Sequence, residues 1–293
     1  MIEGSRSLRT GLSILRAFTP QRPSRTGPEI VELMRMHKTS TYRMLAALCQ
    51  EGFLERNEWT GEYSIGRSAY RVGSLYLETN SLLRAAEPVV KLMNELTGEA
   101  TNLGTFENGF LTLVMHEEAK HEFRWGRHVG SVMSAHTSSM GKAFLSQLSD
   151  EEIDALYPSE QLQQLTPKSL RTRTDLKAEL AEIRRTGVSF DYEGTVEWVI
   201  GIGSVVRDYD GKGIGGVSMA FAKFRLDERL RDRLAGLVKR GAALISQRLG
   251  YADPNLDVLD LSDLRAAWQA SQHQSGSHIT QLEQWPPPAA SSP

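Results

Sequence analysis

The densest run of hydrogen-bonding side chains in this chain is Lys38-Thr39-Ser40-Thr41-Tyr42-Arg43. On a helix, Thr41, Met44, Leu45 and Leu48 fall at i, i+3, i+4 and i+7 and form an apolar stripe. Thr39, Tyr42, Arg43 and Gln50 then share the opposite face, with Lys38 and Ser40 at the N-terminal turn. Amides at a helix start and a nearby lysine favour phosphate, and an arginine one turn further in can reach a base acceptor such as guanine. Alone, the pattern is more often that of an ordinary amphipathic helix, with Thr39 and Ser40 as good N-caps.

Other groupings invite chemistry. Gly211-Lys212-Gly213-Ile214-Gly215-Gly216 has the letters of a pyrophosphate cradle, but it follows an Asp-Gly turn and joins strand to strand, whereas a dinucleotide site opens a helix. His116, His121, His128 and His136 show neither the i, i+4 spacing of a helical metal site nor a Cys/His cluster. His136, Ser138 and Asp191 can be written as a hydrolase triad, yet no G-x-S-x-G elbow presents the serine. Ser138-Ser139-Met140-Gly141-Lys142-Ala143-Phe144-Leu145 reads as a loop entering a helix, a place for a small carboxylate or a plain helix cap. No catalytic residue, metal or cofactor is implied.

The elements around these groups follow from periodicity and breakers. Leu8, Leu12, Leu15 and Phe18 recur near helical spacing after Ser7, a good N-cap, and predict a first helix to about Phe18; Thr19 to Pro28, with three prolines, is a loop. A short helix from Pro28 and a tight Arg35-Met36-His37 connection lead into the polar helix. Gly52 to Arg56 and Glu62 to Ile65 flank a polar tip and predict a hairpin, in which Arg56 and Trp59 could touch nucleic acid, although an aromatic beside a hairpin more often packs locally. Helical spacing resumes from Ser68 to Thr97 with an interruption near Pro88. Hairpins are predicted at Glu107-Asn108-Gly109 and Asp210-Gly211, a capping box at Ser149/Glu152, an amphipathic helix through Leu176, Leu180 and Ile183, and a long helix over Leu226 to Leu249. Beyond Tyr251 the polar, proline-rich tail predicts no fixed structure.

At 293 residues, with 40% apolar and 24% charged side chains, the chain has ordinary globular composition and room for two domains. Residues 1 to 80 carry 11 Lys+Arg against 8 Asp+Glu, or +3, and the remaining 23 against 28 give −5. A mildly basic N-terminal part permits nucleic-acid binding there. The single cysteine, Cys49, excludes an intramolecular disulfide and reads as a small buried residue. No apolar run is long enough to span a membrane and no signal peptide is evident, so a cytoplasmic protein is expected.

Four segments together resemble the isocitrate lyase regulator (IclR) family of bacterial transcriptional regulators: Lys38 to Leu45, the wing Thr60-Gly61-Glu62-Tyr63-Ser64-Ile65-Gly66, Gly141-Lys142-Ala143, and Arg184-Arg185-Thr186-Gly187 leading to Asp191. The resemblance implies an α+β protein: a winged helix-turn-helix at 1–66, a linker helix at 67–82, a GAF-like effector-binding domain at 83–251 and a tail at 252–293. It implies a double-stranded DNA operator as partner, read by Lys38, Thr39, Ser40, Tyr42, Arg43 and Arg56, and homodimers, often paired into tetramers. By motif position it implies a small, usually carboxylate, effector bound by Ser139, Met140, Asp191, Gly201, Ser218 and Ala220. Met140 is larger than the family's usual residue, Gly201 and Ala220 offer no polar side chain, and Arg35 stands where the family usually has glycine in a left-handed turn. Two other classes fit the letters: a small-molecule hydrolase fused to a DNA-binding module, and a winged helix that binds protein.

Overall fold

The computed structural model describes residues 6–19, 22–79, 81–121, 126–252 and 259–273. The chain divides into two compact units, residues 1–84 and 85–293, the division falling inside a helix.

The first unit contains α1 (Arg6–Arg16), β1 (Ser24–Arg25), α2 (Gly27–Met34), α3 (Lys38–Gln50), β2 (Leu54–Arg56), β3 (Tyr63–Ile65) and α4 (Arg67–Thr79). Its core is Ile14, Ile30, Leu45, Leu54 and Tyr63, flanked by Leu15, Phe18, Met44, Leu48 and the half-buried thiol of Cys49. Of the four residues that mark α1 in the sequence, Leu15 and Phe18 pack against this core. Leu8 is 66% and Leu12 46% exposed, while Ile14 is fully buried.

Thr26 and Glu29 form a capping box at the start of α2, hydrogen bonds that also hold the Glu29 carboxyl below its ordinary pKa. Arg35 closes that helix with φ 50° and ψ 39°, so the left-handed turn is made by a residue with a Cβ. Thr39 and Ser40 are not N-caps: α3 starts one residue before Thr39, and His37 is the cap residue, its carbonyl accepting from both the amide and the hydroxyl of Thr41. The strands form an antiparallel sheet in the order β1-β3-β2, with Leu54 opposite Ile65 and Arg56 opposite Tyr63.

α5 (Ser81–Thr97) runs through Pro88 without the expected interruption. One backbone bond is lost there, but buried Ala86, Val89, Val90 and Met93 fix the helix on either side. The second unit is built on one antiparallel sheet of six strands, β4 (Ala100–Glu107), β5 (Phe110–Glu117), β6 (Val132–Ser134), β7 (Ser189–Tyr192), β8 (Val199–Arg207) and β9 (Gly213–Ala222), in the order β6-β5-β4-β9-β8-β7. Asn108 and Gly109, at φ 49° and 84°, close the β4–β5 hairpin as its sequence required. The glycine-rich run enters β9 as strand rather than helix.

α6 (Ser139–Leu145) lies directly on this sheet, and glycines let it do so. A Cβ on Gly203 would sit 2.7 Å from the Met140 amide nitrogen, and one on Gly216 would sit 2.6 Å from Met140 Cγ. Met140 thus fills the space that Gly104 and Gly216 leave open, in a cluster with Leu111 and Leu113. α7 (Asp150–Leu156), with its Ser149/Glu152 capping box, and α8 (Arg173–Thr186) join α6 around Leu145, Ile153, Leu176 and Leu180. The alternate residues of β8 and β9, among them Ile202, Val217 and Met219, are buried on the other face, where α9 (Glu228–Arg248) packs.

The tail expected to lack structure contains α10 (Leu261–His273). Leu264 and Trp268 are buried, the Trp268 ring lies 4.3 Å beneath Arg233 of α9, and Asp260 accepts from the Ser262 and Asp263 amides at the helix start. The rest of that tail, 253–258 and 274–293, lies outside the described residues. Among the described residues, no helix is long and apolar enough to cross a membrane.

Candidate functional site

Two places gather the residues singled out by sequence. On α3, Lys38, Thr39, Ser40 and Arg43 are exposed, as are Ala46, Ala47 and Gln50 further along. Thr41 and Leu45 are buried beneath them, so core and polar face separate as the spacing required. Tyr42 is half-buried: a Cβ on Gly27 would lie 2.4 Å from its hydroxyl oxygen, so its ring is wedged against the start of α2. Lys38 Nζ stands 6.0 Å from the centre of that ring, and the Arg56 guanidinium 5.8 Å from that of Tyr63. The result is a surface of hydroxyl and cationic groups with two alanines that permit close approach. Trp59 does not pack locally as expected; it is 96% exposed at the tip of the β2–β3 hairpin.

The second place is a cavity in the second unit. Ser139 and Met140 from α6, Asp191 from β7, Gly201 from β8, and Ser218 and Ala220 from β9 all line it. Ser138, from the segment read as suited to a small carboxylate, lines it too; sequence reasoning missed Asn102, Arg127 and Thr195, which also line it, with Leu113, Met133 and Val199 supplying apolar wall. Asn102 is a polar residue on an inner strand and was legible there from alternation; Arg127 and Thr195 lie in irregular segments with no such signal.

Asp191 is 5% exposed, and its Oδ1 accepts from the Gly194 amide at 2.6 Å. Burial pushes its carboxyl above the ordinary range, opposed by the Lys142 charge and by hydrogen bonds from Thr195 and Gly194. Lys142 is itself buried and ion-paired with Glu179. Burial lowers the Arg127 pKa while Asp191 pulls the other way, and a guanidinium remains charged through such a shift. His116 Nδ1 lies 2.7 Å from Asn102 Oδ1. The cavity therefore offers one cation, several hydroxyl and amide donors, and one carboxyl biased toward its protonated form. A small anion that carries its own hydroxyl suits that set.

The hydrolase arrangement is not assembled. Ser138 Oγ caps α6 by accepting from the Gly141 amide, and His136 Nε2 lies 2.8 Å from the Gln163 carbonyl oxygen. The scattered histidines have separate partners, and among the described residues no three His, Cys, Asp or Glu side chains could hold a metal ion together.

Comparison with known proteins agrees with this division of labour. The family model described as "IclR helix-turn-helix domain" matches residues 7–58, and that described as "Bacterial transcriptional regulator IclR C-terminal" matches residues 74–247. The chain is 30% identical over 189 residues to the transcriptional repressor IclR of Escherichia coli, covering 64% of this chain and 69% of that protein. It is 26% identical over 246 residues to the acetate operon repressor of Salmonella typhimurium, covering 83% and 90%. Among solved structures, a transcriptional regulator from Rhodococcus superimposes with a TM-score of 0.74 at 22% identity, covering 83% of this chain and 98% of that one. An IclR homologue from Microbacterium hydrocarbonoxydans, solved with 4-hydroxybenzoate, gives 0.73 at 19% identity with the same coverage. Since these matches take in both the exposed helix and the domain that holds the cavity, the chain belongs to the IclR family of bacterial transcriptional regulators, and it is a DNA-binding regulator rather than an enzyme.

Proposed function

We propose that α3 is the helix that reads an operator and that the cavity beneath α6 binds the small carboxylate that controls it. The carrying observation is convergence: six residues chosen from four segments of sequence line one cavity, and Arg127 stands at that cavity as the cation a carboxylate requires. Lys38, Thr39 and Ser40 would hold phosphates at the start of α3, Arg43 would reach a base edge, Tyr42 would brace the helix on α2, and Arg56 would touch the flanking backbone. In the cavity, Arg127 would pair with the ligand carboxylate, with Ser139 and Ser218 donating to it. Asp191 would meet a ligand hydroxyl. The 4-hydroxybenzoate of the Microbacterium homologue has both groups, and the relatives' names support repression as the default output.

The domains so used are a winged helix-turn-helix at 1–66, a linker helix at 67–82 and an effector domain at 83–251. A dimer, alone or paired into a tetramer, would place two copies of α3 on two half-sites, and the ligand would act by changing their spacing. Selection of bound fragments from genomic DNA, followed by release with pyruvate or 4-hydroxybenzoate, tests both halves. Enrichment of no fragment over background would end the operator reading. Enrichment with equal release by wild type and by the Asp191 and Ser218 variants would end the ligand placement.

A further inference from the structure

A buried site that holds one cation and one carboxyl of its own limits the charge it can admit. The cavity beneath α6 is such a site. Arg127 and Asp191 both line it, and their charges act on each other. Asp191 is 5% exposed, so water does little to screen it.

The other charges packed around Asp191 are already matched. From α6 comes Lys142, buried and ion-paired with Glu179 of α8. In the β7–β8 loop, Glu193 is ion-paired with Lys223 at 2.6 Å, while Thr195 and the Gly194 amide supply hydrogen bonds to Asp191 and no charge. β8 and β9 contribute Gly201 and Ser218, which carry none. Two imidazoles stand nearby. His116 of β5 contacts Asn102, and His136 precedes α6 with Nε2 2.8 Å from the Gln163 carbonyl oxygen. Burial lowers the pKa of both and favours their neutral forms. Without a guest, Arg127 and an ionised Asp191 offset each other. A carboxylate that pairs with Arg127 leaves Asp191 as a second, unmatched carboxylate, and two carboxyls enclosed in one site do not both stay ionised.

We propose that this cavity admits one negative charge and no more: a monocarboxylate enters with a proton that Asp191 takes from solvent, and a dicarboxylate of the same shape is turned away. The guest keeps its charge because Arg127 pairs with it, so the proton goes to an Asp191 oxygen. That O–H is then a donor, which a ligand oxygen can accept. A second carboxylate on the guest would find neither a cation nor a further carboxyl to take a proton, and would stay buried and unmatched. This rests on the cavity being the ligand site. What it adds is that effector affinity depends on pH and on the charge of the ligand.

The experiment is calorimetric titration of the full chain, in two buffers that differ in heat of ionisation, from about pH 5.5 to about pH 8.5, the range above ordinary Asp titration. The probes are lactate, tartronate and 2-hydroxy-3-methylbutanoate, whose isopropyl group copies the shape of the second tartronate carboxylate without its charge. A bound anion makes Asp191 hold its proton to higher pH than in the free protein. Lactate affinity is therefore full below the free-state value and falls as pH rises through it, by up to about tenfold per pH unit, with about one proton taken up per ligand in that range. D191N should bind lactate with a flat pH profile and no proton uptake. Tartronate should bind wild type about a hundredfold more weakly than 2-hydroxy-3-methylbutanoate, the loss expected of a buried unpaired charge. Comparable affinities for those two overturn the charge limit, a result that needs no variant. A flat wild-type profile removes the proton from the mechanism, and a slope that survives in D191N moves it to another group such as His116; either overturns the assignment to Asp191. Should lactate, 2-hydroxy-3-methylbutanoate and 4-hydroxybenzoate all give no heat and no change in melting, the carboxylate reading of the cavity falls and the charge limit with it. Failure of the charge limit alone leaves that reading standing.

Discussion

The face of α3 and the cavity beneath α6 are built on opposite plans. The face takes its working residues from one continuous run, places them in water and leaves the core to Thr41 and Leu45. The cavity takes single residues from separate strands, a helix start and loops, and buries most of them. In the first, function can be removed without touching stability. In the second, the residues that would hold a ligand also hold the sheet to its helix.

The largest test of that contrast is G203A. Its Cβ would press on the α6 backbone, which cannot retreat as a flexible side chain would. A loss of about 3 kcal/mol is expected, lowering the melting temperature of the second unit by roughly 6 to 12 °C. Calorimetry showing wild-type melting would mean that α6 is not seated as described. R43A comes next, with specific DNA affinity falling by about 2 kcal/mol, roughly thirtyfold, and melting within experimental scatter of wild type. Should melting fall as well, the separation of face from core would be lost. R127A should weaken whichever carboxylate probe stabilises the wild type by about 1.5 kcal/mol, close to tenfold, because one charge-assisted contact is removed. Equal titration curves would take Arg127 out of the site.

The smallest effect is a slope. Burial holds the Asp191 carboxyl above its ordinary pKa, so the unfolded chain gives up that proton first. Stability from this group is full below the ordinary Asp range and is lost as pH rises through the folded value. D191N does not titrate and keeps an oxygen for the Gly194 amide. Wild-type melting should therefore decline relative to D191N as pH rises from about 4 toward neutrality, the range in which an ordinary Asp has already ionised. Parallel curves would show that Asp191 is not destabilised when charged.

How legible each region was follows the same contrast. Thr41, Met44, Leu45 and Leu48 specify α3 by spacing, and turn chemistry at Asn108-Gly109 specifies its hairpin, since both signals are local. α1 was legible as a helix, yet Leu8 and Leu12 keep helical spacing while facing solvent, and spacing alone does not say which residues of a stripe are covered. α10 was overlooked although Leu261, Leu264 and Trp268 stand at i, i+3 and i+7, a short signal beside a proline-rich stretch. In the cavity, Asp191 and Ser218 came from motif position. Arg127 belongs to no periodic segment, and only the fold brings it to the same space as Asp191.

Met140 links the two roles of the second unit in one side chain. It lines the cavity and also plugs the gap above Gly104 and Gly216. A guest too large for the free space would have to push on a side chain that has no slack behind it. The sheet would then register the girth of the visitor as displacement of α6, as a lock registers a key by the pin it lifts.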